Sequence, residues 1–181
     1  MEGLLVLKRL GLLLVALAMV PQLCHPQVLS GSNSAVKDKP VFRPPFLLKL
    51  RIDEQHYYEE KFNPIPYVAD GAVYLFSGET FGVNLRLTGN QVSRVVYQPD
   101  ASKADVGFEF KQQQGPKGPV MVLIIRNTLK QKVLLDALMT VPGDKDVHET
   151  SVLPVGPGHS NTESWPHPIV QLMLKNIRLS N

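Results

Sequence analysis

Cysteine is nearly absent from this chain: Cys24 is the only one in 181 residues. A disulfide within one chain is therefore excluded, and stability has to come from the core itself. Lysine and arginine exceed aspartate and glutamate by a net charge of only +3. The cations are scattered rather than gathered into a stripe, so nucleic acid is not an expected partner. An apolar fraction of 44% is too low for a polytopic membrane protein. No glycine-rich loop opens a helix to cradle phosphates. No Gly-x-Ser-x-Gly elbow presents a nucleophile, Gly158-His159-Ser160 being only a partial echo of one. No internal repeat is visible. Beyond the leader no segment shows the periodicity of an amphipathic helix.

What the chain does have is 15 prolines and 13 glycines, the many turns of a short-stranded all-β protein. At its start, Lys8 and Arg9 precede an apolar run from Leu10 to Val20. A spanning helix needs about 20 apolar residues, so this shorter run reads as the core of a secretory signal peptide. Residues 1–24 are thus the expected leader, cleaved between 18 and 24, and the mature chain is exported, periplasmic or extracellular. Membrane contact is expected only through the leader before cleavage. Losing Lys8, Arg9 and Glu2 with it leaves a charge of about +2. Leu23 precedes Cys24 where lipid attachment wants a small residue, so Cys24 is a poor lipidation site. Residues 25–45, polar and broken by proline, read as a flexible tether.

Residues 46–181 read as one domain. Phe46, Leu48, Leu50 and Ile52 alternate as a first strand, and Asp53 to Gly71 reads as a long surface connection with one helical turn at most. Strands follow over Val73–Phe76, Phe81–Leu87, Val92–Gln98 and Val106–Phe110, then a Gly/Pro loop from Gln112 to Gly118. The stretch Gly118 to Asp144 holds two strongly apolar segments, from Val120 and from Val133, read as a strand pair at the centre of a sheet. Val152, Leu153 and Val155 suggest a short strand. The last strand, Ile169–Leu179, changes phase near Lys175-Asn176, as a β-bulge does. The total is seven or eight antiparallel strands. Their number and pattern resemble an immunoglobulin or fibronectin type III β-sandwich, without the cysteine pair or mid-chain tryptophan of antibody domains.

The chemistry expected of this pattern is binding. Tyr57, Tyr58 and Trp165 lie in loop regions richer in aromatics than a plain connection needs, and each combines apolar area with a hydrogen-bonding tip. They are the candidate contacts for a protein or glycan partner in the cell envelope, with packing at the ends of the sandwich as the competing role. The first or last strand offers a second route, edge pairing. No cofactor and no catalytic residue is expected. One alternative is a zinc or copper site on the loop histidines His148, His159 and His167, with Met121, Met139 or Met173 as soft ligands for Cu(I). Another is a hydrolase whose catalytic residues are dispersed through the fold.

Overall fold

The clearest period-two segments, Phe81–Leu87 and the stretch from Val133, form strands. The computed structural model describes residues 39–180, so the leader, its cleavage site, Cys24 and most of the expected tether lie outside the described residues. Twelve strands run in chain order: β1 Phe46–Arg51, β2 Tyr57–Phe62, β3 Val68–Ala69, β4 Ala72–Leu75, β5 Glu79–Thr88, β6 Gln91–Gln98, β7 Val106–Gly115, β8 Gly118–Asn127, β9 Lys132–Thr140, β10 His148–Thr150, β11 Ser160–Trp165 and β12 Gln171–Ser180. The only helical element described is a 3-10 turn at Ala101–Lys103. Two five-stranded sheets form, ordered β10-β9-β12-β4-β3 and β11-β8-β7-β5-β6, and β1-β2 stands apart as a two-stranded ribbon. Every strand pairing is antiparallel. The arrangement is all-β and β-sandwich-like.

One hydrophobic cluster takes residues from both sheets and the ribbon. Phe81 and Val83 of β5, Phe108 and Phe110 of β7, and Leu123 and Ile125 of β8 enter it from one sheet; Val73, Leu75, Leu135, Leu172 and Leu174 enter from the other. These are alternate positions on their strands, as a face buried against a facing layer requires. Leu135 is one of them, at 7% exposure. Leu135→Ala is expected to cost about 2–3 kcal/mol, read from the urea midpoint; a loss of a few tenths would misplace β9.

Several sequence readings are corrected. The two apolar segments of 118–144 do not pair with each other: β8 lies in one sheet and β9 in the other. The polar connector 128–131 carries the chain between layers, and each strand finds its neighbours elsewhere. Asp53 to Gly71 contains no helical turn but the strands β2 and β3. Gln112–Gln114 extend β7 instead of starting a loop, so the turn shrinks to Pro116-Lys117 between Gly115 and Gly118. Val155 makes only an isolated bridge to Val133. The last strand is not an edge, because β12 lies between β9 and β4. Its phase change is a register shift between Lys175 and Arg178, with Asn176 at φ +52°, a left-handed conformation that asparagine tolerates better than most residues.

The end of the expected tether is docked on the domain. Phe42 bridges Pro66, and Arg43 is 3% exposed. Its guanidinium meets both Glu79 oxygens, at 2.7 and 3.1 Å, and donates to the carbonyls of Ile65, Pro66 and Tyr74. It also lies 4.2 Å from the Tyr67 ring centroid and 4.9 Å from that of Phe76. Buried charge is tolerated only when paired and hydrogen-bonded in this way.

Candidate functional site

The β1-β2 ribbon places one set of side chains against the domain and another toward solvent. Its register opposes Phe46 to Phe62, Leu48 to Glu60 and Leu50 to Tyr58 on one face. Leu47 opposite Lys61, Lys49 opposite Glu59 and Arg51 opposite Tyr57 form the other. Phe46 and Phe62 stack at 5.2 Å, and both contact the Phe76 ring at 5.0 Å. At the far end the Gln112 side chain imitates a strand, accepting from the Arg51 N–H at 2.8 Å and donating to the Arg51 carbonyl at 2.9 Å. Anchored at both ends, the ribbon holds its outer face fixed.

On that face Leu47 is 54% and Tyr57 52% exposed. Lys49 lies 4.6 Å from the Tyr57 ring centroid and 2.7 Å from Glu59. The loop joining the strands is held by Asp53, whose carboxylate accepts from the N–H groups of Gln55 and His56 and faces the His56 ring at 2.8 Å. The Gln55 N–H, then the His56 ring, lower the Asp53 pKa to about 2. A depressed carboxylate stabilises the fold above its unfolded pKa, near 4, and loses that contribution as pH falls through its folded value. A carboxyl-carbon NMR titration is expected to place Asp53 at about 2, and amide protection of 53–56 should fade between pH 4 and 2. A midpoint near 4 would mean the loop is not held this way.

The structure separates the three aromatic candidates. Tyr57 faces solvent. Tyr58, next to it, faces the domain and packs against the core; burial first, and then the Glu60 carboxylate it donates to, push its pKa up to about 12. Trp165 is buried, edge-on to Phe110 at 6.4 Å, and its Nε1–H donates to Thr150 Oγ1 at 2.8 Å. Since Trp165 ends β11 and Thr150 ends β10, that bond ties one sheet to the other. The indole is a packing element rather than an exposed contact.

The three candidate histidines do not converge. His159 lies on the β10-β11 connection with Nδ1 2.6 Å from the Pro157 carbonyl. His148 and His167 instead line one cleft of about 460 Å³, together with Ile52, Met139, Val141, Asp144 and Pro168. Among the described residues no group of three or more His, Cys, Asp or Glu side chains could hold a metal ion. Met121 is fully buried in the core, while Met139 of β9 stands directly opposite His148 of β10.

Two further clefts open on the outer sheet faces. One, of about 590 Å³, is lined by Leu134, Asp136, Leu138, Glu149, Lys175 and Arg178. Asp136 is bonded there to Asn176 at 2.8 Å and Arg178 at 3.0 Å, and these partners, Asn176 first, hold its carboxyl below the usual range. A carboxylate held ionised by a cation does not act as a general acid near neutrality. The other, of about 640 Å³, lies where the Ala101–Lys103 turn crosses Gly107. A Cβ on Gly107 would come within 2.9 Å of the Ala101 carbonyl oxygen, so a larger residue there would lift the turn.

The feature that sequence reasoning missed is the Arg43–Glu79 anchor. Its members are 36 positions apart, and a lone arginine among prolines gives no sign of being buried. The chain matches no protein-family model, no curated protein and no solved structure.

Proposed function

We propose that this chain is an exported, non-enzymatic binding domain, an assembly or capture accessory of the cell envelope. The leader-like pattern of residues 1–24 supports export to the periplasm or beyond. The observation that carries binding is the outer face of the β1-β2 ribbon, where half-exposed Tyr57 and Leu47 share a fixed surface with Lys49 and Glu59. Tyrosine on a rigid element gives contact area at low entropic cost, and charged neighbours give it orientation. The partner is a protein or glycan of the envelope. The fold belongs, on this reading, with immunoglobulin or fibronectin type III domains; two antiparallel sheets with repeated crossings between layers support that kinship.

Intact-mass measurement of the protein recovered from envelope and medium tests the export half. A chain beginning between residues 19 and 25 is expected; a full-length chain confined to the cytosol contradicts it. For the binding half, Tyr57→Ala should leave stability within about 1 kcal/mol of the parent, as for other exposed positions, while weakening partner retention. A variant that melts early but still retains its partner would reverse the assignment.

A further inference from the structure

The cleft at the end of β9 joins residues that sequence spacing leaves unconnected. Met139 and His148 are directly opposed across the β9-β10 pair, so their side chains leave the sheet on the same face. His167, on the connection into β12, lines the same cleft. Each histidine has one ring nitrogen committed to a group that only accepts. His148 Nε2 lies 2.9 Å from the Asp144 carboxylate, and His167 Nδ1 lies 3.2 Å from the Pro168 carbonyl. Those two nitrogens therefore carry the protons. In the neutral rings, His148 Nδ1 and His167 Nε2 are left with lone pairs. Fixing one nitrogen on a carboxylate or carbonyl is how proteins prepare the other to bind a metal.

The third donor decides which metal. A thioether is a soft ligand and selects Cu(I), whereas zinc sites use thiolate, imidazole and carboxylate. Asp144, the one carboxylate of the cleft wall among the described residues, is already occupied by His148 and by the Asp146 N–H. The remaining wall is apolar, formed by Ile52, Val141, Pro142 and Pro168, and suits a weakly hydrated monovalent cation. We propose that Met139, His148 and His167 form a Cu(I)-binding site, with Asp144 positioning His148. The proposal is independent of the ribbon contact, which lies on another surface set of side chains.

The test uses the protein purified as the cell delivers it, with Cys24→Ser removing the single thiol that would compete for copper. Cu(I) is titrated anaerobically against the chelator bathocuproine disulfonate, and the bound metal is examined by X-ray absorption. One Cu(I) per chain is expected, with sulfur and nitrogen among its bound atoms. Met139→Leu should remove the sulfur signal. His148→Ala and His167→Ala should each weaken binding at least about tenfold, and Asp144→Asn by about 10–100-fold with the bound atoms unchanged. His159→Ala should change nothing. A metal-free melt of each variant separates lost binding from lost folding. Failure of the folded protein to bind Cu(I), a sulfur signal that survives Met139→Leu, or Zn²⁺ displacing Cu(I) at equal concentration overturns the proposal.

Discussion

Arg43→Met is expected to destabilise the domain by about 3–5 kcal/mol, seen as a lower urea midpoint at unchanged slope. The guanidinium uses Nε and both terminal nitrogens on Glu79 and three carbonyls. Methionine keeps much of the volume and none of the donors. Glu79, whose side chain is 18% exposed, is left with one donor among the described residues, the Phe76 N–H at 2.9 Å, and an uncompensated charge. Most of the cost is that orphaned carboxylate, so Arg43→Met with Glu79→Gln should recover part of the loss. The same substitution should release residues 41–45, because the Arg43 side chain and two backbone bonds, Arg43 N–H to Ile65 O and Tyr67 N–H to Val41 O, are what fasten them. A loss below 1 kcal/mol would mean that the anchor is an accessory contact.

Asn127→Asp should be more damaging still at neutral pH, despite near-identical shape. Asn127 is fully buried where the chain leaves β8 for the other sheet. Its Nδ2 group faces the carbonyls of Gln131, Val155 and Gly156 at 2.8, 3.0 and 3.0 Å, and its Oδ1 accepts from the Leu129 N–H at 2.9 Å. Aspartate replaces the donor with a second acceptor, so a buried anion faces three carbonyl oxygens. The expected loss at pH 7 is on the order of 5 kcal/mol, from unmade hydrogen bonds and unpaired buried charge.

The pH dependence identifies that cause. Burial raises the folded pKa of the new carboxyl, so the penalty is smallest below about pH 4, where both states are protonated. It grows as pH rises above the unfolded pKa and levels off beyond the folded one. Asn127→Ala lacks this pH slope. A flat profile for Asn127→Asp would show that the side chain is not enclosed by carbonyls.

These two residues mark the limit of what the sequence discloses. Alternation identified β5 and β9 and, by its change of phase, the bulge in β12, whereas β8 is legible as a short, continuous, β-branched apolar run too brief for a helix. Neither pattern could say that β8 and β9 belong to different sheets. Sheet membership depends on the connector, and the connector is fixed by Asn127 reaching Val155 and Gly156, 28 and 29 positions away. The strand β2 was hidden by its composition: Tyr57–Phe62 carries two glutamates and a lysine, since only one side of the ribbon meets the core. β11 reads as a polar loop for a related reason, being an edge strand in which Trp165 is the only buried residue.

The candidate contacts were legible as residue types but not as orientations. Tyr57 and Tyr58 look alike in sequence, and the pleat sends one outward and the other toward the core. Trp165 could equally have been a contact or a plug, and its bond to Thr150 makes it an inter-sheet tie. For the histidines, the informative fact is the register that sets Met139 opposite His148. That register depends on the loop 141–147, which no spacing rule anticipates.

The measurement that tests partner capture most directly is cross-linking in intact cells from a photoreactive residue at position 57, with position 165 as the buried control. A discrete adduct from 57 and none from 165, with both proteins folded and exported, is the predicted result. Equal adducts from both positions, or none from 57 while an outer-face residue of β9 such as Leu134 gives one, would contradict the assignment of the ribbon as the contact surface.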